Sequence, residues 1–243
     1  MIFEKGLEAI LVLNRRLIRE FVRKISDEKL NAERGRLKKM SEFEDKFNQY
    51  IIAGVDEAGR GPLAGPVVAG CVVLDRSKEI LFLNDSKKLS KKRRDELFDE
   101  IKENAFAYGV GIVSEKVIDE INILEATHIA MKDAVANANE MYKSKYGNSI
   151  NLLFVDALKI KNVDIKQVSI VHGDALSISI AASSIVAKVT RDRMMEEYDV
   201  KYPEYGFAKH SGYGTKYHMD KLKEIGPCEI HRKSFLSFLN NTK

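Results

Sequence analysis

Cysteine is scarce in this chain of 243 residues. Only Cys71 and Cys228 are present, and two thiols are too few to build a disulfide framework. No group of cysteines and histidines in the sequence has the spacing of zinc ligands. We therefore expect reduced thiols and no zinc site.

Long hydrophobic runs are also missing. The longest apolar stretches, at 66–74 and 178–182, are far shorter than the ~20 residues that a membrane-spanning helix needs. The apolar stretch at 7–13 is too short for the hydrophobic part of a secretory signal, and it leads directly into Arg15 and Arg16. We expect a cytoplasmic protein that contacts no membrane.

Neither sign of charge dominates, since 40 basic residues stand against 36 acidic ones and the formal net charge is only +4. This balance permits a polyanionic partner but does not require one. A content of 44% hydrophobic and 31% charged residues is typical of globular proteins and argues against disorder or a fibre. The length allows one large domain, or one domain with an appendage.

Residues 1–49 differ from the rest, because they contain no proline and only two glycines. Apolar residues recur with helical spacing from Leu7 to Ile25, and a second helix is predicted at 33–47. The segment carries twelve basic and nine acidic residues, which gives a net charge of +3. We interpret it as an N-terminal helical extension with two possible roles, gripping the substrate or packing on the main domain.

From residue 50 onward, apolar runs of strand length alternate with helical patterns, which predicts an α/β domain over residues 50–243. Only a short loop separates the first two strands, which favours an antiparallel pair within a mixed sheet. The predicted strands are 51–55, 66–74, 106–113, 152–155 and 168–171. The predicted helices are 90–104, 114–146 with a break near Asn122, 175–198 and 215–225.

Four acidic residues lie at the ends of three predicted strands. Asp56 and Glu57 follow the first strand, Asp156 closes the fourth, and Asp174 follows the fifth. An acidic pair at a strand end is often only a solvated turn, but four carboxylates at one sheet edge are tolerated only around hard cations. Oxygen ligands without cysteine favour Mg²⁺ or Mn²⁺ over zinc. A pair of such ions suits phosphodiester hydrolysis.

A nucleotide-binding loop is a rival interpretation of the glycines after the first strand. Gly59, Gly61 and Ala64 have the spacing of a dinucleotide-binding loop. However, Pro62 and Pro66 interrupt the helix that such a loop must begin, and the next segment is predicted to be a strand. The adjacent carboxylates would also repel a pyrophosphate, so this interpretation is disfavoured.

Six segments resemble the bacterial ribonuclease HII family, in order, from about residue 50 to about residue 235. They are IAGVDEAGRGPLAGP (52–66), DSKKLS (85–90), VDA (155–157), GDA (173–175), AASSIVAKVTRD (181–192) and HSGYGT (210–215). The related type HIII enzymes differ around the Gly-Arg-Gly element and carry a different N-terminal domain, so the element at 59–61 favours type HII. The resemblance implies a ribonuclease H-like mixed β-sheet flanked by helices, with an N-terminal helical extension and a helical C-terminal part.

The resemblance also implies an active site. Asp56, Glu57, Asp156 and Asp174 would be its four acidic residues and would hold two divalent ions, Mn²⁺ or Mg²⁺. Residues 181–184 are interpreted as a close-packing helix face without a chemical role.

The resemblance implies substrate contacts as well. Gly59, Arg60 and Gly61 would recognise the ribose 2′-hydroxyl, because glycines let the backbone approach a sugar closely. Tyr213 would pack on the deoxyribose beside the ribonucleotide, although by itself it could equally be a core aromatic. Ser86 and Lys87 precede a predicted helix and would bind a phosphate, with a solvated basic turn as the alternative.

The expected activity is hydrolysis of the RNA strand of RNA/DNA hybrids, together with nicking on the 5′ side of single ribonucleotides in duplex DNA. Water would be the nucleophile, and the products would carry 3′-hydroxyl and 5′-phosphate ends. One rival is a metal-independent ribonuclease with histidine acid and base, although the five histidines suggest no obvious pair. A second rival is a hybrid-binding module without catalysis. We expect a monomer, and a contact with a DNA clamp stays open.

Overall fold

The structure, a computed structural model, describes residues 27–241, so the predicted helix at 7–25 lies outside this range. The helices are α1 (Asp27–Asp45), α2 (Lys91–Asn104), α3 (Glu115–Ile121), α4 (Ile123–Tyr146), α5 (Gly173–Leu176), α6 (Ile178–Lys201), α7 (Phe207–His210) and α8 (Lys216–Ile225). The strands are β1 (Ile52–Ala58), β2 (Val67–Leu74), β3 (Ala105–Val113), β4 (Leu152–Asp156) and β5 (Lys166–Ile170). Short 3-10 turns lie at Ser86–Lys88, Pro203–Tyr205, Lys233–Phe235 and Ser237–Asn241.

The five strands form one mixed sheet in the order β3-β2-β1-β4-β5. β1 pairs antiparallel with β2, and β2 pairs antiparallel with β3. β4 is parallel to both β1 and β5. The predicted mixed sheet and the antiparallel first pair are confirmed. Because β1 and β4 are parallel neighbours, their carboxyl ends lie at the same edge of the sheet.

Two long helices cover the two faces of the sheet. Small side chains of α4, including Ala130 and Ala134, pack with alternate strand residues such as Val55. On the other face α6 approaches so closely that a Cβ atom added at Gly54 would lie 2.1 Å from the backbone of Ser179. A glycine within the strand therefore marks a close approach of two backbones.

The predicted helix break at Asn122 is confirmed. Asn122 has a φ of +73°, and its side-chain oxygen accepts hydrogen bonds from the backbone N–H groups of Leu124 and Glu125. Asparagine is a favoured helix cap, and with these bonds it ends α3 and begins α4.

The single helix predicted at 175–198 is wrong, because the structure has two helices here. Ser177 is extended, with φ −127° and ψ +127°, and it separates the four-residue α5 from the 24-residue α6. The Ser177 hydroxyl accepts a hydrogen bond from the N–H of Ile180 and caps α6. The local capping preference of serine thus overrides the continuous helical pattern.

The described part of the N-terminal extension packs against the main domain. Leu37 and Met40 of α1 are buried in a hydrophobic cluster with residues of β2 and α6. The rings of Phe43 and Phe47 lie 5.5 Å and 5.3 Å from the ring of Phe154 on β4. A substrate-gripping role for the extension stays a prediction.

The C-terminal part is helical, as predicted, and it builds its own small cluster beside the sheet. Tyr205, Phe207, Leu222 and Ile230 are buried there around Ala64, which belongs to the loop between β1 and β2. Within residues 27–241, no helix is both long enough and apolar enough to cross a membrane.

Candidate active site

The four predicted acidic residues lie on three neighbouring elements. Asp56 and Glu57 belong to β1, which continues past the predicted end at residue 55 and runs to Ala58. Asp156 is the last residue of the parallel neighbour β4, and Asp174 lies in α5. The parallel pairing of β1 and β4 therefore brings residues about 100 positions apart to one edge of the sheet.

The carboxylates are close enough to influence one another. Burial raises the pKa of Asp56 well above its ordinary value, the charges of Glu57 and Asp156 raise it further, and a hydrogen bond from Ser184 opposes the shift. Burial also raises the pKa of Glu57, which Arg60 opposes from 3.3 Å away. Like charges that share a buried site disfavour ionisation, so the charged forms of Asp56 and Glu57 are disfavoured here.

Asp174 experiences the same kind of surroundings. Burial raises its pKa, and the nearby carboxylates of Asp85 and Asp156 act in the same direction, while Lys87 acts against them. Asp85 is thus a further acidic residue at this edge. The ammonium of Lys87 lowers the pKa of Glu57 as well, so it faces the cluster that the acids form.

Backbone donors hold two of the acids in place. The N–H of Glu57 donates to Oδ1 of Asp56 at 2.7 Å. The N–H of Gly173 donates to Oδ1 of Asp156 at 2.8 Å and so ties the end of β4 to the start of α5. The second bond connects α5, which carries Asp174, directly to the end of a sheet strand.

The donor chemistry of this cluster fits a hard divalent cation. Its members offer carboxylate oxygens, and their mutual repulsion and burial are unfavourable without a compensating positive charge. Across residues 27–241 the structure holds no group of three or more His, Cys, Asp or Glu side chains that is arranged to hold a metal ion as it stands.

The loop after β1 is held from inside by a buried arginine. Arg232 is fully buried, and its guanidinium donates to four backbone carbonyls. Nη2 donates to Gly59 at 2.6 Å and to Pro66 at 3.1 Å, Nη1 to Arg60 at 3.0 Å, and Nε to Gly65 at 2.9 Å. Burial and the nearby Arg191 lower the pKa of Arg232 to about 9.

A second buried arginine joins this loop to the loop that bears Tyr213. Arg191 of α6 donates to the carbonyls of Pro66 at 2.9 Å and Ala64 at 3.0 Å, and also to Ser211 at 2.9 Å. Gly59 has a φ of +98°, and a Cβ atom there would lie 2.1 Å from Nε of Arg191. Only glycine fits this position, both for its backbone conformation and for its space.

The side chain of Tyr213 is exposed, so its alternative interpretation as a core aromatic is wrong. It is 44% accessible, and its ring lies next to Gly61, where an added Cβ atom would be 3.7 Å from Cε1. The N–H of Leu63 donates to the carbonyl of Gly212 at 2.8 Å, which links the two loops. Tyr213 and the Gly-Arg-Gly element thus share one surface.

Ser86 and Lys87 lie on opposite sides of the short turn before α2. Ser86 is buried, and its hydroxyl lies 2.9 Å from the hydroxyl of Ser184, which in turn bonds to Asp56. Lys87 is exposed and faces the acids. As nucleic-acid contacts, both residues stay predictions.

A pair of histidines that the sequence does not suggest lies beneath the Tyr213 loop. Nε2 of His218 is 2.9 Å from Nε2 of His231, and Nδ1 of His218 is 2.9 Å from the carbonyl of Tyr213. Both rings are buried, with accessibilities of 0% and 2%. Such a pair is not visible in the sequence, and in the structure it supports the Tyr213 loop from inside.

A groove of about 360 Å³ runs beside Tyr213. Basic residues dominate its lining, including Lys91, Arg94, Lys188 and Lys209. Asp192 neutralises part of this charge, because Lys188 contacts it at 2.6 Å and Arg94 at 3.4 Å. Glu196 offsets a further part, because it contacts Lys91 at 2.5 Å, so the groove keeps a small positive excess that suits a phosphate backbone.

Sequence reasoning missed four residues that organise the site. Arg191 and Arg232 donate hydrogen bonds to carbonyls of the loop after β1. Asp85 adds a carboxylate near Asp174. Ser184 bonds to Asp56, although it is predicted only to pack α6. Three of these lie within segments that resemble the family, Asp85 in 85–90 and both Ser184 and Arg191 in 181–192, but only Asp85 directly precedes predicted site residues. The two arginines look like ordinary members of charged segments until the fold shows that both are buried.

Comparisons with known proteins indicate the family of the chain. A family model described as Ribonuclease HII matches residues 53–238. A ribonuclease HII from Lachnoclostridium phytofermentans is 53% identical over 215 residues, which cover 88% of this chain and 82% of that protein.

Solved structures show the same architecture. Ribonuclease H2 from Pyrococcus horikoshii aligns with a TM-score of 0.58 and 30% identity over 75% of this chain and 92% of that one. Ribonuclease HII from Archaeoglobus fulgidus, solved in a complex with PCNA, aligns with a TM-score of 0.57 and 27% identity over 79% and 97% of the two chains. The predicted ribonuclease H-like fold is confirmed. The chain belongs to the ribonuclease HII family, whose members are endonucleases that hydrolyse the RNA strand of RNA/DNA hybrids.

Proposed function

We propose that this chain, besides cleaving the RNA strand of hybrids, nicks duplex DNA on the 5′ side of a single embedded ribonucleotide. The observation that supports this proposal is the placement of the Gly59–Gly61 loop between the acidic cluster and the exposed ring of Tyr213. A site that recognises one ribose and the deoxyribose next to it needs only one ribonucleotide. Recognition of the 2′-hydroxyl separates RNA from DNA at that position.

Asp56, Glu57, Asp156 and Asp174 would hold two divalent ions, Mn²⁺ or Mg²⁺. When bound, such a pair activates an attacking water and stabilises the charge on the leaving 3′ oxygen, so that 3′-hydroxyl and 5′-phosphate ends result. The hydrogen bonds from Glu57 N–H and Gly173 N–H orient the carboxylates of Asp56 and Asp156 in advance. Lys87, which faces the acids, would balance part of the charge of the scissile phosphate.

The other predicted contacts have separate tasks. Backbone groups of Gly59 and Gly61 would bond to the ribose, and the half-exposed Arg60 would reach a neighbouring phosphate. The exposed ring of Tyr213 would pack on the next deoxyribose. Ser86 would act on a phosphate only if its turn opens, because its hydroxyl is buried against Ser184.

A duplex with one ribonucleotide in one strand tests the proposal. We expect cleavage with Mn²⁺ or Mg²⁺, loss of cleavage with a chelator, and products with 3′-hydroxyl and 5′-phosphate ends. Asp56→Asn should be inactive, while Asp164→Asn, at an exposed aspartate on the β4–β5 connection, is the matched control and should keep full activity.

Other results would favour the rivals. A cyclic phosphate or 3′-phosphate product that forms without metal indicates histidine catalysis. Retained hybrid affinity with no cleavage in either metal indicates a binding module. Cleavage of long hybrids without nicking of the single-ribonucleotide duplex would refute only the finer proposal.

The expected biological setting follows from this activity. Hydrolysis next to isolated ribonucleotides is the first step in removing them from DNA, so the partners would be RNA/DNA hybrids and ribonucleotide-containing duplexes. We propose that the chain acts as a monomer in the cytoplasm. Gel filtration with light scattering, at the concentrations used for the cleavage assay, tests the monomer.

A truncation can test whether the N-terminal extension grips the substrate. Residues 1–26 carry six basic and three acidic residues, whereas residues 27–49 carry six of each, so the net charge of the extension lies entirely in the first segment. Deleting residues 1–26 keeps α1 and its core packing. If the segment binds phosphates, hybrid affinity falls and the slope of log K against log salt decreases by about 0.9 for each phosphate that the protein no longer neutralises.

A further inference from the structure

Glu44, in the N-terminal extension, is a fully buried acid that reaches across to the main domain. Its Oε1 accepts hydrogen bonds from the hydroxyl of Ser177 at 2.5 Å and from the N–H of Ser179 at 3.0 Å. Its Oε2 accepts a hydrogen bond from the hydroxyl of Ser179 at 2.9 Å. The carboxyl group therefore sits on the amino end of α6, where helix N–H groups favour an acceptor or a negative charge.

The residues that Glu44 contacts are the junction between α5 and α6. The N–H of Ser177 donates to the carbonyl of Gly173 at 2.8 Å and closes the single turn of α5. The N–H of Gly173 donates to Asp156 at 2.8 Å, and Asp174 is the next residue. A continuous series of three hydrogen bonds thus leads from Glu44 to Asp156, and it passes through the turn that presents Asp174.

This turn has little support of its own. α5 has only four residues, and the residue before it, His172, is in the left-handed conformation with a φ of +57°. A helix of one turn is marginal without outside contacts. The Ser177 hydroxyl already caps Ile180 of α6, so Glu44 is not needed as a simple cap.

The position of Glu44 is in turn fixed by the packing of α1. Phe43, its neighbour, packs on Phe154, and Asp45, on the other side, forms an ion pair with Arg76. Arg76 also donates to Asn48 at 3.0 Å. The carboxyl group is therefore delivered to the junction by a docked helix and is not a mobile surface group.

We propose that Glu44 is a positioning residue for the metal site, which holds the α5 turn so that Asp174 and Asp156 keep their mutual placement. The inference rests on the proposed function, because that function assigns both aspartates to the metal ions. It also assigns the described part of the extension a task that differs from gripping the substrate.

Three variants test the inference. Glu44→Ala removes all three bonds. Glu44→Gln keeps an acceptor for the Ser177 hydroxyl and for the Ser179 N–H, and it offers its amide to the Ser179 hydroxyl, which can accept as well as donate. Glu42→Ala, at an exposed position two residues away on α1, is the matched control.

The first readout is amide hydrogen exchange of segment 172–180, measured without metal or substrate. We expect Glu44→Ala to speed exchange in this segment, while Glu44→Gln and Glu42→Ala stay close to the wild type. This measurement does not depend on catalysis, so it separates a failure of the inference from a failure of the proposed function.

The second readout combines Mn²⁺ affinity, by calorimetry, with steady-state cleavage of a hybrid. We expect Glu44→Ala to weaken Mn²⁺ binding and to lower kcat by about 10-fold or more, with KM nearly unchanged, as is typical for supports of metal ligands. Glu44→Gln should restore kcat to within about threefold of the wild type. If Glu44→Ala does not fold, Glu44→Gln compared with Ser179→Ala, which removes one of the three bonds to Glu44 and keeps the Ser177 cap on Ile180, provides the same readouts.

The inference is overturned if a folded Glu44→Ala protein matches Glu42→Ala in exchange of segment 172–180, in Mn²⁺ affinity and in kcat. A drop in melting temperature alone would equally overturn it, because Glu44 would then only stabilise the fold. An unchanged kcat with a raised KM would place its effect on substrate binding and would also contradict the positioning role.

Discussion

Replacing Arg232 by methionine tests how the sugar-facing loop is held. The guanidinium is the common donor to carbonyls of Gly59, Arg60, Gly65 and Pro66, and these residues enclose the Gly-Arg-Gly element. Methionine fills similar space without donating. We expect the loop to lose its order while the rest of the fold survives.

The magnitude follows from the partners that lose a donor. Pro66 keeps its bond from Arg191, and the carbonyl of Arg60 is only partly buried, so two buried carbonyls, of Gly59 and Gly65, lose this guanidinium. Each unsatisfied carbonyl costs about 1–3 kcal/mol. Relief from burying a cation whose pKa is lowered to about 9 offsets part of this cost. We expect a net loss of about 2 kcal/mol, or about 4–8 °C in melting temperature.

The functional effect should be larger than the effect on stability. Misplacing a binding loop by about 1 Å can cost about 100-fold in rate. We therefore expect kcat/KM on a single-ribonucleotide duplex to fall by about that factor in Arg232→Met. An all-DNA duplex, used as a competitive inhibitor, should bind with an unchanged Ki, because phosphate contacts outside the loop remain.

Two comparisons sharpen the assay. Arg232→Lys keeps the charge but cannot span four carbonyls, so it should give an intermediate kcat/KM. Arg34→Met, at an exposed arginine paired with Glu79, should change neither quantity. Wild-type kcat/KM in a folded Arg232→Met protein would refute the reasoning, and so would a loss of affinity for all-DNA duplex as large as the loss of kcat/KM.

Three further predictions follow from the geometry. Asp56→Asn should abolish cleavage. It should also raise the melting temperature of the metal-free protein, because it removes one of several carboxylates that repel one another. Differential scanning calorimetry in EDTA checks this, and a lower melting temperature contradicts it. Gly54→Ala should lower the free energy of unfolding by about 3–5 kcal/mol or prevent folding, since its Cβ atom would collide with the α6 backbone. Gly35→Ala, at an open position on α1, should raise the free energy of unfolding by about 0.5–1 kcal/mol, as measured by urea unfolding. Burial lowers the pKa of His231 to about 4 from an ordinary 6.5. Between these pH values the folded state therefore binds fewer protons than the unfolded state. The free energy of unfolding must then fall as the pH falls through this window, by ~3 kcal/mol at most. His231→Gln should show a smaller fall in urea unfolding between pH 6.5 and 4.5, and an equal fall would exclude this histidine as the cause.

Much of the fold could be predicted, because strands and helices have different hydrophobic periods. All five predicted strands and the break at Asn122 are present, since buried apolar runs and cap residues are local features. The helix predicted at 175–198 failed at Ser177, where one capping serine outweighs a long helical pattern. The bounds of β1 also differed, because pairing with β2 extends the strand through Asp56 and Glu57.

The candidate site could be predicted only in part, for a physical reason. Acidic residues at strand ends are visible in the sequence, and the parallel pairing of β1 with β4 brings them together. The internal supports were not visible, because an arginine such as Arg232 is usually exposed and nothing local indicates that it will be buried. Glu44 likewise looks like one more charge on a surface helix until the packing of α1 is known.

The hydrogen bonds of Arg232 also bear on the stage of synthesis at which the protein can become able to cleave its substrate. They join positions 167 and 173 residues apart in the chain, to Gly65 and Gly59. A polypeptide that emerges from the ribosome therefore carries all four acids well before it carries the arginine that sets the loop next to them. On this reasoning the loop is set only after Arg232 has been synthesised, and a product that terminates before this residue has the four acids without the donor that holds the loop beside them.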